Sequence, residues 1–537
     1  MTVFAVRGIH NKTYKKERKV MTMKRFLNLF LCLVLIFTAF AACSCGEDKP
    51  ADSTSSAAPS DNSEAVSTPD SSAEESVDDG NYEPNLPDKK FGGEEVIFLV
   101  RGDESGIFRN WDLVVSESNT DTVNAAIEER NNYVESKYGV KIVDRRCGGS
   151  VNGGEMYTKI LSDFNAQVTT YHVAYAPVYD AIALATDGIF IDLNEAPNID
   201  ITAPWWDQNA MNSMSLAGRY YFGIGDISIQ LYETLPCLVF NKDLAKQYGI
   251  ENMYDLVEKG EWTFDKLNEI AKQVSVDADE ITGPSVGDIF GMGGQNDNFQ
   301  TYFRGAGCNT VELNRYGEPT LTLYSERNDR VLRDVYDLIT NQEIFLNCND
   351  YVNTPGWVES PIEFVTGGFI EGRILFYSDG LLHIDEFADV DFDFGILPLP
   401  KYDKEQEEYQ HNIGVWGSSA VCIPENNPDL EMATIVVEAL GAKSKSTVTV
   451  EFFEKVLNIQ STRDEESELS LRIITSTKSF DMGLCFNWNN LTSIFGDMVG
   501  KRQYNFKSTY EAREGGIISE MNKTIQDYTD LPHYFAD

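Results

Sequence analysis

Aromatic rings, carboxylates and amides recur along the chain at points where predicted strands end. The pattern occurs in these segments: Asp103-Glu104, Tyr175, Trp205-Trp206, Tyr232-Glu233, Tyr377-Ser378-Asp379, Trp416 and Asn487-Trp488-Asn489-Asn490. Flat apolar rings with hydrogen-bonding neighbours suit a polyhydroxylated ring, which has apolar faces and polar edges. Any single Trp also fits a place in a hydrophobic core, so the set carries more weight than its members.

Motifs of metal and nucleotide chemistry are missing from the sequence. The histidines form no HExxH or similar metal-ligand spacing: His10, His172, His383, His411 and His533. The chain has no G-x-S-x-G, no P-loop and no GxGxxG after a strand, and the glycine-rich segment 291–294 lacks the required spacing. We therefore expect no cofactor and no metal. A glycosidase-like carboxylate pair stays open, because 85 acidic residues offer many pairs.

Composition and charge narrow the class of ligand. The 537 residues are 42% hydrophobic and 24% charged, which is typical of a soluble protein with more than one lobe. Lys and Arg number 44 against 85 Asp and Glu, for a formal net charge of -41. Such a surface repels phosphate backbones, so nucleic-acid binding is excluded as a function. Neutral and cationic small molecules remain as ligands.

The N-terminal segment 1–42 is predicted to be a signal peptide. A basic pair at 24–25 precedes an apolar run at 26–40 and two alanines at 41–42. A polar, basic stretch seldom precedes a signal peptide, so Met21 or Met23 is a more natural start than Met1.

Residues 40–43, Phe-Ala-Ala-Cys, resemble the bacterial lipobox, whose cysteine is lipidated and anchors the protein to the outer face of the membrane. Cys43 is the predicted site, and Cys45 is a second candidate. An N-terminal transmembrane anchor is the alternative, although the apolar run is short for a spanning helix. Both interpretations place the protein at the cell membrane, on its extracellular face.

Residues 43–90 are predicted to form a disordered tether after the lipidated cysteine. The stretch 51–80 is rich in Ser, Asp and Glu and poor in aliphatic residues, so it cannot bury enough apolar surface to offset the entropy of ordering. The folded part of the chain therefore begins near residue 91.

The cysteines of the folded part show no CxxC and no metal-ligand spacing: Cys147, Cys237, Cys308, Cys348, Cys422 and Cys485. Several lie in apolar contexts, which predicts small buried hydrophobic side chains. One disulfide is the alternative.

The hydrophobic pattern alternates between strand and helix. A continuous apolar run at 96–100 predicts a buried strand, and a helix follows that Thr120 or Asp121 caps and Gly139 ends. The next strand begins at residue 140, and the alternation recurs over 171–193. These βαβ units predict an α/β fold with parallel sheets covered by helices.

Further helix caps are predicted later in the chain. Asn241 and Thr263 each precede a helix, and Asn427 with Pro428 starts another helix that Gly441 follows. The last hundred residues are predicted to be mostly helical.

Several segments resemble, in order, the extracellular solute-binding protein family 1 of ABC transporters, the maltose-binding-like group. The central match is 240–267, with Phe-Asn-Lys-Asp-Leu and Gly-Glu-Trp-Thr-Phe-Asp-Lys-Leu, and the Pro-Trp-Trp-Asp segment at 204–207 precedes it. The segments 367–377 and 395–403 follow, and the resemblance extends from about residue 94 to the C-terminus.

This resemblance implies a two-lobe type II periplasmic-binding-protein-like fold with a cleft between the lobes and several chain crossovers. The implied domains are lobe 1, over 91–230 plus 412–480, and lobe 2, over 231–411 plus 481–537. It also implies a permease partner in the membrane, a monomeric chain and no catalytic residue.

The resemblance also implies ligand-binding residues. Asp103 offers polar contacts in the loop after the first strand, and Glu233 is a hinge-side carboxylate. The other predicted ligand contacts are aromatic: Tyr175, Tyr377, Trp488 and, from the ring pattern alone, Trp416.

The sequence therefore predicts a lipid-anchored receptor that captures a small solute, an oligosaccharide, by closing two lobes and passes it to an ABC importer. The competing prediction is an outward-facing lipoprotein glycoside hydrolase that uses a carboxylate pair. A third is an adhesion or sensory module that binds a protein.

Overall fold

The computed structural model describes residues 82–115, 121–148, 153–278, 285, 287–351, 361–459 and 465–533. The predicted signal peptide, Cys43, Cys45 and the tether up to residue 81 lie outside the described residues. None of the helices in the described ranges combines the length and the hydropathy of a membrane-spanning segment.

Strands and helices alternate through the first part of the described chain. The strands are β1 (Glu94–Arg101), β2 (Val140–Cys147), β3 (Val173–Pro177), β4 (Pro236–Asn241), β5 (Phe290–Gly294), β6 (Val311–Leu313), β7 (Pro319–Leu321), β8 (Phe345–Asn347), β9 (Ile374–Gly380), β10 (Phe394–Leu397), β11 (His411–Asn412), β12 (Ser419–Cys422) and β13 (Lys478–Ser479).

The α-helices are α1 (Thr122–Tyr138), α2 (Glu155–Asn165), α3 (Val178–Ala185), α4 (Gln208–Met214), α5 (Gln230–Glu233), α6 (Lys242–Gln247), α7 (Met253–Glu258), α8 (Phe264–Val274), α9 (Asn298–Gly305), α10 (Glu326–Ile339), α11 (Pro361–Ile370), α12 (Leu430–Ser446), α13 (Val448–Ile459), α14 (Glu465–Ser476), α15 (Met482–Phe486), α16 (Ser493–Gly500) and α17 (Phe506–Asp530). Short 3-10 helices span Asp103–Phe108, Cys348–Tyr351, Leu381–Phe387 and Trp488–Asn490.

The first lobe is built on a four-stranded sheet in the order β12-β3-β1-β2. Strand β1 runs parallel to β2 and to β3, while β12 is antiparallel to β3. The apolar run in β1 is buried because the sheet is covered, and Val96, Phe98 and Leu99 are 0% exposed. The predicted parallel α/β arrangement is confirmed here, with one antiparallel strand added at the edge.

The second lobe is built on a five-stranded sheet in the order β10-β4-β9-β5-β8. Strand β5 is parallel to β8 and to β9, whereas β4 is antiparallel to both of its neighbours. Gly291 of β5 lets α8 approach closely, because a Cβ atom there would lie 2.1 Å from the carbonyl oxygen of Ala271. The glycine-rich segment 291–294 is therefore a packing feature of a strand.

The chain crosses between the lobes near residues 230–238, 409–415 and 479–486, and we call these segments the first, second and third crossings. Strands β11 and β13 pair in parallel as a separate two-stranded ribbon. Thr234, which follows α5 at the first crossing, contacts the loop before β12, and its Oγ1 lies 2.8 Å from Ser418 Oγ. A Cβ atom at Gly417 would lie 2.2 Å from Thr234 Cγ2, so only glycine lets these crossings meet. We call these joined segments the hinge.

The C-terminal helices contact both lobes. Helix α14 packs on β10, where Ser467 Oγ accepts a hydrogen bond from Ile396 N at 3.4 Å, and α15 packs on α3. The ring of Tyr528, near the end of α17, lies edge-on to Tyr221 with centroids 5.2 Å apart. The strands of the two sheets fall in the ranges expected for lobes 1 and 2, but α14, expected in lobe 1, packs on lobe 2. The lobe boundaries as such stay a prediction.

The helix caps predicted from the sequence are confirmed in the first part of the chain and shifted in α12. Asp121 accepts a hydrogen bond from Val123 N at 2.9 Å, and Asn241 and Thr263 cap α6 and α8, so these predictions are confirmed. The cap of α12 is Asp429, two residues after the predicted Asn427. Contrary to the prediction, Gly441 does not end α12 but lies inside the helix, where the lack of a side chain makes room for the indole of Trp205.

The six cysteines of the described chain are buried and unpaired, as small hydrophobic residues are: Cys147, Cys237, Cys308, Cys348, Cys422 and Cys485.

Candidate ligand-binding cleft

A cavity of about 570 Å³ lies between the two lobes at the hinge. We call it the interlobe cleft. Its lining comes from the first lobe (Ile107, Phe108, Tyr179 and Trp416), from the second lobe (Gln295, Asp297, Gln300, Thr301, Ile362, Asp379, Leu382, His383, Thr492 and Ser493) and from the crossings (Thr234, Asn412–Val415, Asp481 and Leu484). A volume of this size suits a small molecule.

A second depression, of about 630 Å³, is more open to solvent. Arg304, Glu312, Gln406 and Ser479 contribute to its largely polar lining. We place the candidate site in the interlobe cleft, because it is more enclosed and combines aromatic rings with polar groups.

The first-lobe wall of the cleft is aromatic and aliphatic. Trp416 is 43% exposed and Ile107 is 52% exposed, which is unusual for large apolar side chains. The indole of Trp416 lies edge-on to the ring of Tyr179, with centroids 4.8 Å apart. This wall therefore offers apolar surface to a ligand.

Arg101, at the end of β1, holds the loop that carries Trp416. Its buried guanidinium donates to the carbonyl oxygen of Trp416 at 3.1 Å and to Ser419 Oγ at 2.8 Å. It also donates to Gln230 Oε1 at 3.0 Å, which ties the loop to the first crossing. Burial lowers the pKa of Arg101 to about 10, so the side chain stays charged at neutral pH.

The facing wall carries Asp297 on the loop after β5. Asn298 fixes this loop: its Nδ2 donates to the carbonyl oxygen of Ser378 at 3.1 Å, and its Oδ1 accepts from Gln295 N at 2.6 Å. Gly294 makes room for this amide, since a Cβ there would lie 2.2 Å from Asn298 Oδ1. Asp297 is solvent-accessible within the cleft, and the surrounding protein raises the pKa of its carboxyl by desolvation.

Asp379 and His383 form a polar pair beside Asp297. Asp379 lies near the end of β9, and its Oδ2 is 3.7 Å from His383 Nε2, while His383 Nδ1 lies 2.7 Å from Glu386 Oε1. Burial lowers the pKa of His383, but the hydrogen bond to Glu386 and the two nearby carboxylates outweigh burial, so the pKa is raised overall. Burial raises the pKa of Asp379.

The cleft offers little for metal chemistry. The described residues contain no group of three or more His, Cys, Asp or Glu side chains arranged to hold a metal ion. Asp481, which also lines the cleft, is already engaged, because its Oδ2 accepts from Thr310 N at 2.7 Å and its Oδ1 accepts from Leu484 N at 3.1 Å.

The structure places two predicted ring platforms in the hydrophobic cores instead of the cleft. Tyr175 is 0% exposed in β3, where its hydroxyl donates to the carbonyl oxygen of Ile227 at 3.2 Å. Tyr377 is 0% exposed in β9, packed against Phe369 and Phe387. Both lie on strands flanked on either side, so their rings fill the layer between sheet and helices.

Trp488 and Asp103 also lie away from the cleft lining. The indole of Trp488 is 3% exposed, stacks on Phe486 with centroids 4.9 Å apart and donates from Nε1 to Thr524 Oγ1 at 2.9 Å. The side chain of Asp103 is 76% exposed and pairs with Arg146 at 2.9 Å. The first is a packing residue, and the second is in an exposed ion pair.

Glu233 lies at the first crossing, as predicted, but its carboxylate is turned towards protein. It accepts from Trp111 Nε1 at 3.1 Å, and burial followed by the charge of Asp112 raises its pKa to about 8. Of the predicted side chains, Trp416 lines the cleft, and its role in binding stays a prediction.

The cleft residues absent from the set predicted from the sequence include Tyr179, Asp297 and His383. Tyr179 follows the predicted strand that carries Tyr175, so the prediction has the right strand end and the wrong residue. Asp297 follows the glycine-rich segment 291–294. Because this segment lacks the spacing of a nucleotide-binding loop, the pattern does not indicate that a strand ends there. The polar run Gln295-Asn296-Asp297-Asn298 directly after a strand is the signal that indicates this edge of the cleft.

No protein-family model and no curated protein matches the sequence. Solved structures do match the fold. One is an ABC substrate-binding protein from Listeria monocytogenes in complex with cycloalternan, with a TM-score of 0.51 and 14% identity over 81% of this chain and 99% of that chain.

Two further structures have the same TM-score. A cyclo/maltodextrin-binding protein complexed with maltotetraose has a TM-score of 0.51 and 14% identity, covering 80% of this chain and 97% of that chain. A sugar transporter from Rhizobium etli in an open conformation has a TM-score of 0.51 and 11% identity, covering 82% of this chain and 100% of that chain. The resemblance predicted from the sequence is thereby confirmed at the level of the fold: the chain has the two-lobe architecture of ABC substrate-binding proteins.

Proposed function

We propose that this protein is the solute receptor of an ABC importer and that it captures an oligosaccharide in the interlobe cleft. One observation carries the proposal. A cavity of about 570 Å³ has exposed apolar and aromatic side chains on one lobe and carboxylates and amides on the other. Sugar rings have apolar faces and polar edges, so a saccharide matches both walls at once.

Capture would proceed by closure of the lobes about the hinge. A ligand that contacts Trp416 on one lobe and Asp297 on the other binds the closed state more tightly than the open state. The hinge is suited to this, because its crossings meet at glycines and a short parallel ribbon. Closure would also exclude water from the polar wall.

We infer the anchoring and the localisation from the sequence. Lipidation at Cys43, or at Cys45, would tether the folded part to the outer face of the cell membrane. The tether would let a monomeric receptor reach the permease subunits while it remains near the membrane. Labelling cells with a clickable fatty acid, with Cys43→Ser and Cys45→Ser variants, tests this assignment.

Binding is tested by isothermal titration calorimetry against neutral and charged oligosaccharides, with thin-layer chromatography of the same samples. We expect saturable binding without cleavage, and binding that weakens in Trp416→Ala. Absence of saccharide binding would contradict the proposal that the protein is an oligosaccharide receptor.

The glycoside hydrolase is kept as a second candidate because two carboxyls with raised pKa, Asp297 and Asp379, line one cleft. Cleavage of the bound sugar that Asp297→Asn and Asp379→Asn both abolish would establish that candidate instead.

A further inference from the structure

The interlobe cleft is acidic. Asp297, Asp379 and Asp481 contribute carboxylates to it, and the described lining residues include neither Lys nor Arg. His383 is the basic group of the lining, and it is already held between Asp379 and Glu386. An anionic ligand would therefore meet like charge in a concave site, where screening is weak.

Asp297 offers the cleft an acceptor that no described residue engages. Its carboxylate receives no hydrogen bond and no ion pair from the described residues, and it is accessible from the cleft. A carboxylate only accepts hydrogen bonds, so a ligand group that only donates complements Asp297.

The wall of the first lobe also suits a cationic group that donates hydrogen bonds. Trp416 and Tyr179 offer π-faces and ring edges on the side of the cleft that faces Asp297, and a cation near an aromatic face is attracted to it. Burial raises the pKa of Asp297 and of Asp379, and a cation beside them would offset that penalty.

We propose that the captured solute is an amino sugar oligosaccharide whose protonated amine lies between Asp297 and the Trp416–Tyr179 ring pair. This rests on the proposed function. The amine proposal goes beyond that function, because it assigns Asp297 as the residue that selects amine-bearing saccharides over neutral and acidic ones.

The test compares two tetramers that differ only at C2 of each sugar ring, and an anionic tetramer of similar length. Calorimetry at mildly acidic pH and low salt is carried out with fully deacetylated chitotetraose, with cellotetraose, in which hydroxyls replace the amines, and with tetragalacturonate as the anionic probe. We expect chitotetraose to bind about tenfold or more tightly than cellotetraose, as for a charge-assisted hydrogen bond, and tetragalacturonate not to bind.

Variants assign the preference to one residue. Asp297→Asn should remove about tenfold of the affinity for chitotetraose and leave that for cellotetraose within about twofold. Asp265→Asn is the matched control, because it removes the same charge from the exposed surface of α8. Added salt should weaken chitotetraose binding more than cellotetraose binding.

Equal or tighter binding of cellotetraose would overturn the amine proposal and leave the receptor function standing. A preference for chitotetraose that survives in Asp297→Asn would overturn the assignment of Asp297. If none of the three tetramers binds, both this inference and the oligosaccharide receptor fail.

Discussion

The indole of Trp416 lies edge-on to the phenol ring of Tyr179, with centroids 4.8 Å apart, although the two residues come from distant parts of the chain. The antiparallel pairing of β3 with β12, which sets Pro177 opposite Ser419, brings them together. The chain leaves β3 just before Tyr179 and enters β12 just after Trp416, so the ring pair forms at the end of the sheet that faces the cleft.

We expect substitutions of Trp416 and Trp488 to have different effects: the first should lower ligand affinity, and the second should lower stability. Trp416→Ala should weaken saccharide binding about tenfold to a hundredfold, as expected when a central aromatic contact is removed. Its effect on stability should be small because the side chain is 43% exposed.

Trp488→Ala should instead lower stability by about 3 kcal/mol and leave affinity largely intact, because the indole is buried against Phe486 and Thr524. Calorimetric affinity and thermal melting, measured for both variants, separate these effects. Trp262→Ala is a second control: that indole is 0% exposed and donates to the carbonyl oxygen of Pro398 at 2.9 Å. If Trp416→Ala binds saccharide as tightly as the parent protein does, the Trp416–Tyr179 ring pair is not part of the binding site.

Glu233 makes stability depend on pH. Burial raises its pKa in the folded protein from an ordinary value of 4.5 to about 8. The folded state therefore holds a proton that the unfolded chain loses, and the contribution of this carboxyl is complete below pH 4.5 and is lost as pH rises towards about 8.

Glu233→Gln keeps an acceptor for Trp111 Nε1 and removes the titration. The variant should gain stability relative to the parent as pH rises, by about 1 kcal/mol per pH unit within that window. Denaturant unfolding across the window measures this, and Glu258→Gln, on the exposed surface of α7, is the control. Parallel stability profiles for parent and variant would show that Glu233 ionises normally.

The hinge predicts a strict requirement for glycine at position 417. A methyl group there would lie 2.2 Å from Thr234 Cγ2, so Gly417→Ala should separate the crossings, lower the melting temperature and weaken ligand binding. Gly496 also lines the cleft, but a methyl group at that position would have no heavy atom within 4 Å, so Gly496→Ala should behave like the parent. Equal melting curves for the two variants would contradict the close contact.

Ligand binding should reduce the size of the molecule in solution. Closure about the hinge brings the two sheets together, so small-angle scattering should give a smaller radius of gyration with a saturating oligosaccharide than without it. Trp416→Ala at the same ligand concentration should show less compaction. An unchanged profile for the parent protein would contradict closure.

Local structure followed closely from local sequence. Asp121, Asn241 and Thr263 cap helices because a short polar side chain before a helical segment satisfies its free N–H groups, and this depends on adjacent residues only. The cap of α12 lies two residues beyond the predicted one, and Gly441 lies inside that helix, where its missing side chain makes room for Trp205 from another segment. That contact is set by tertiary packing and leaves no local signal.

The candidate site likewise combines features that the residue order determines with features that only the tertiary structure decides. The sequence by itself determined the α/β alternation, the two-lobe fold implied by its motifs and the abundance of rings near strand ends, because each depends on residue order. Only the tertiary structure decided which rings face the cleft. Tyr175 and Tyr179 are a few residues apart, yet the first is buried between sheet and helices while the second, at the start of α3, lines the cleft. The side of the sheet and the pairing of β3 with β12 fix that difference, and neither is encoded in the local pattern.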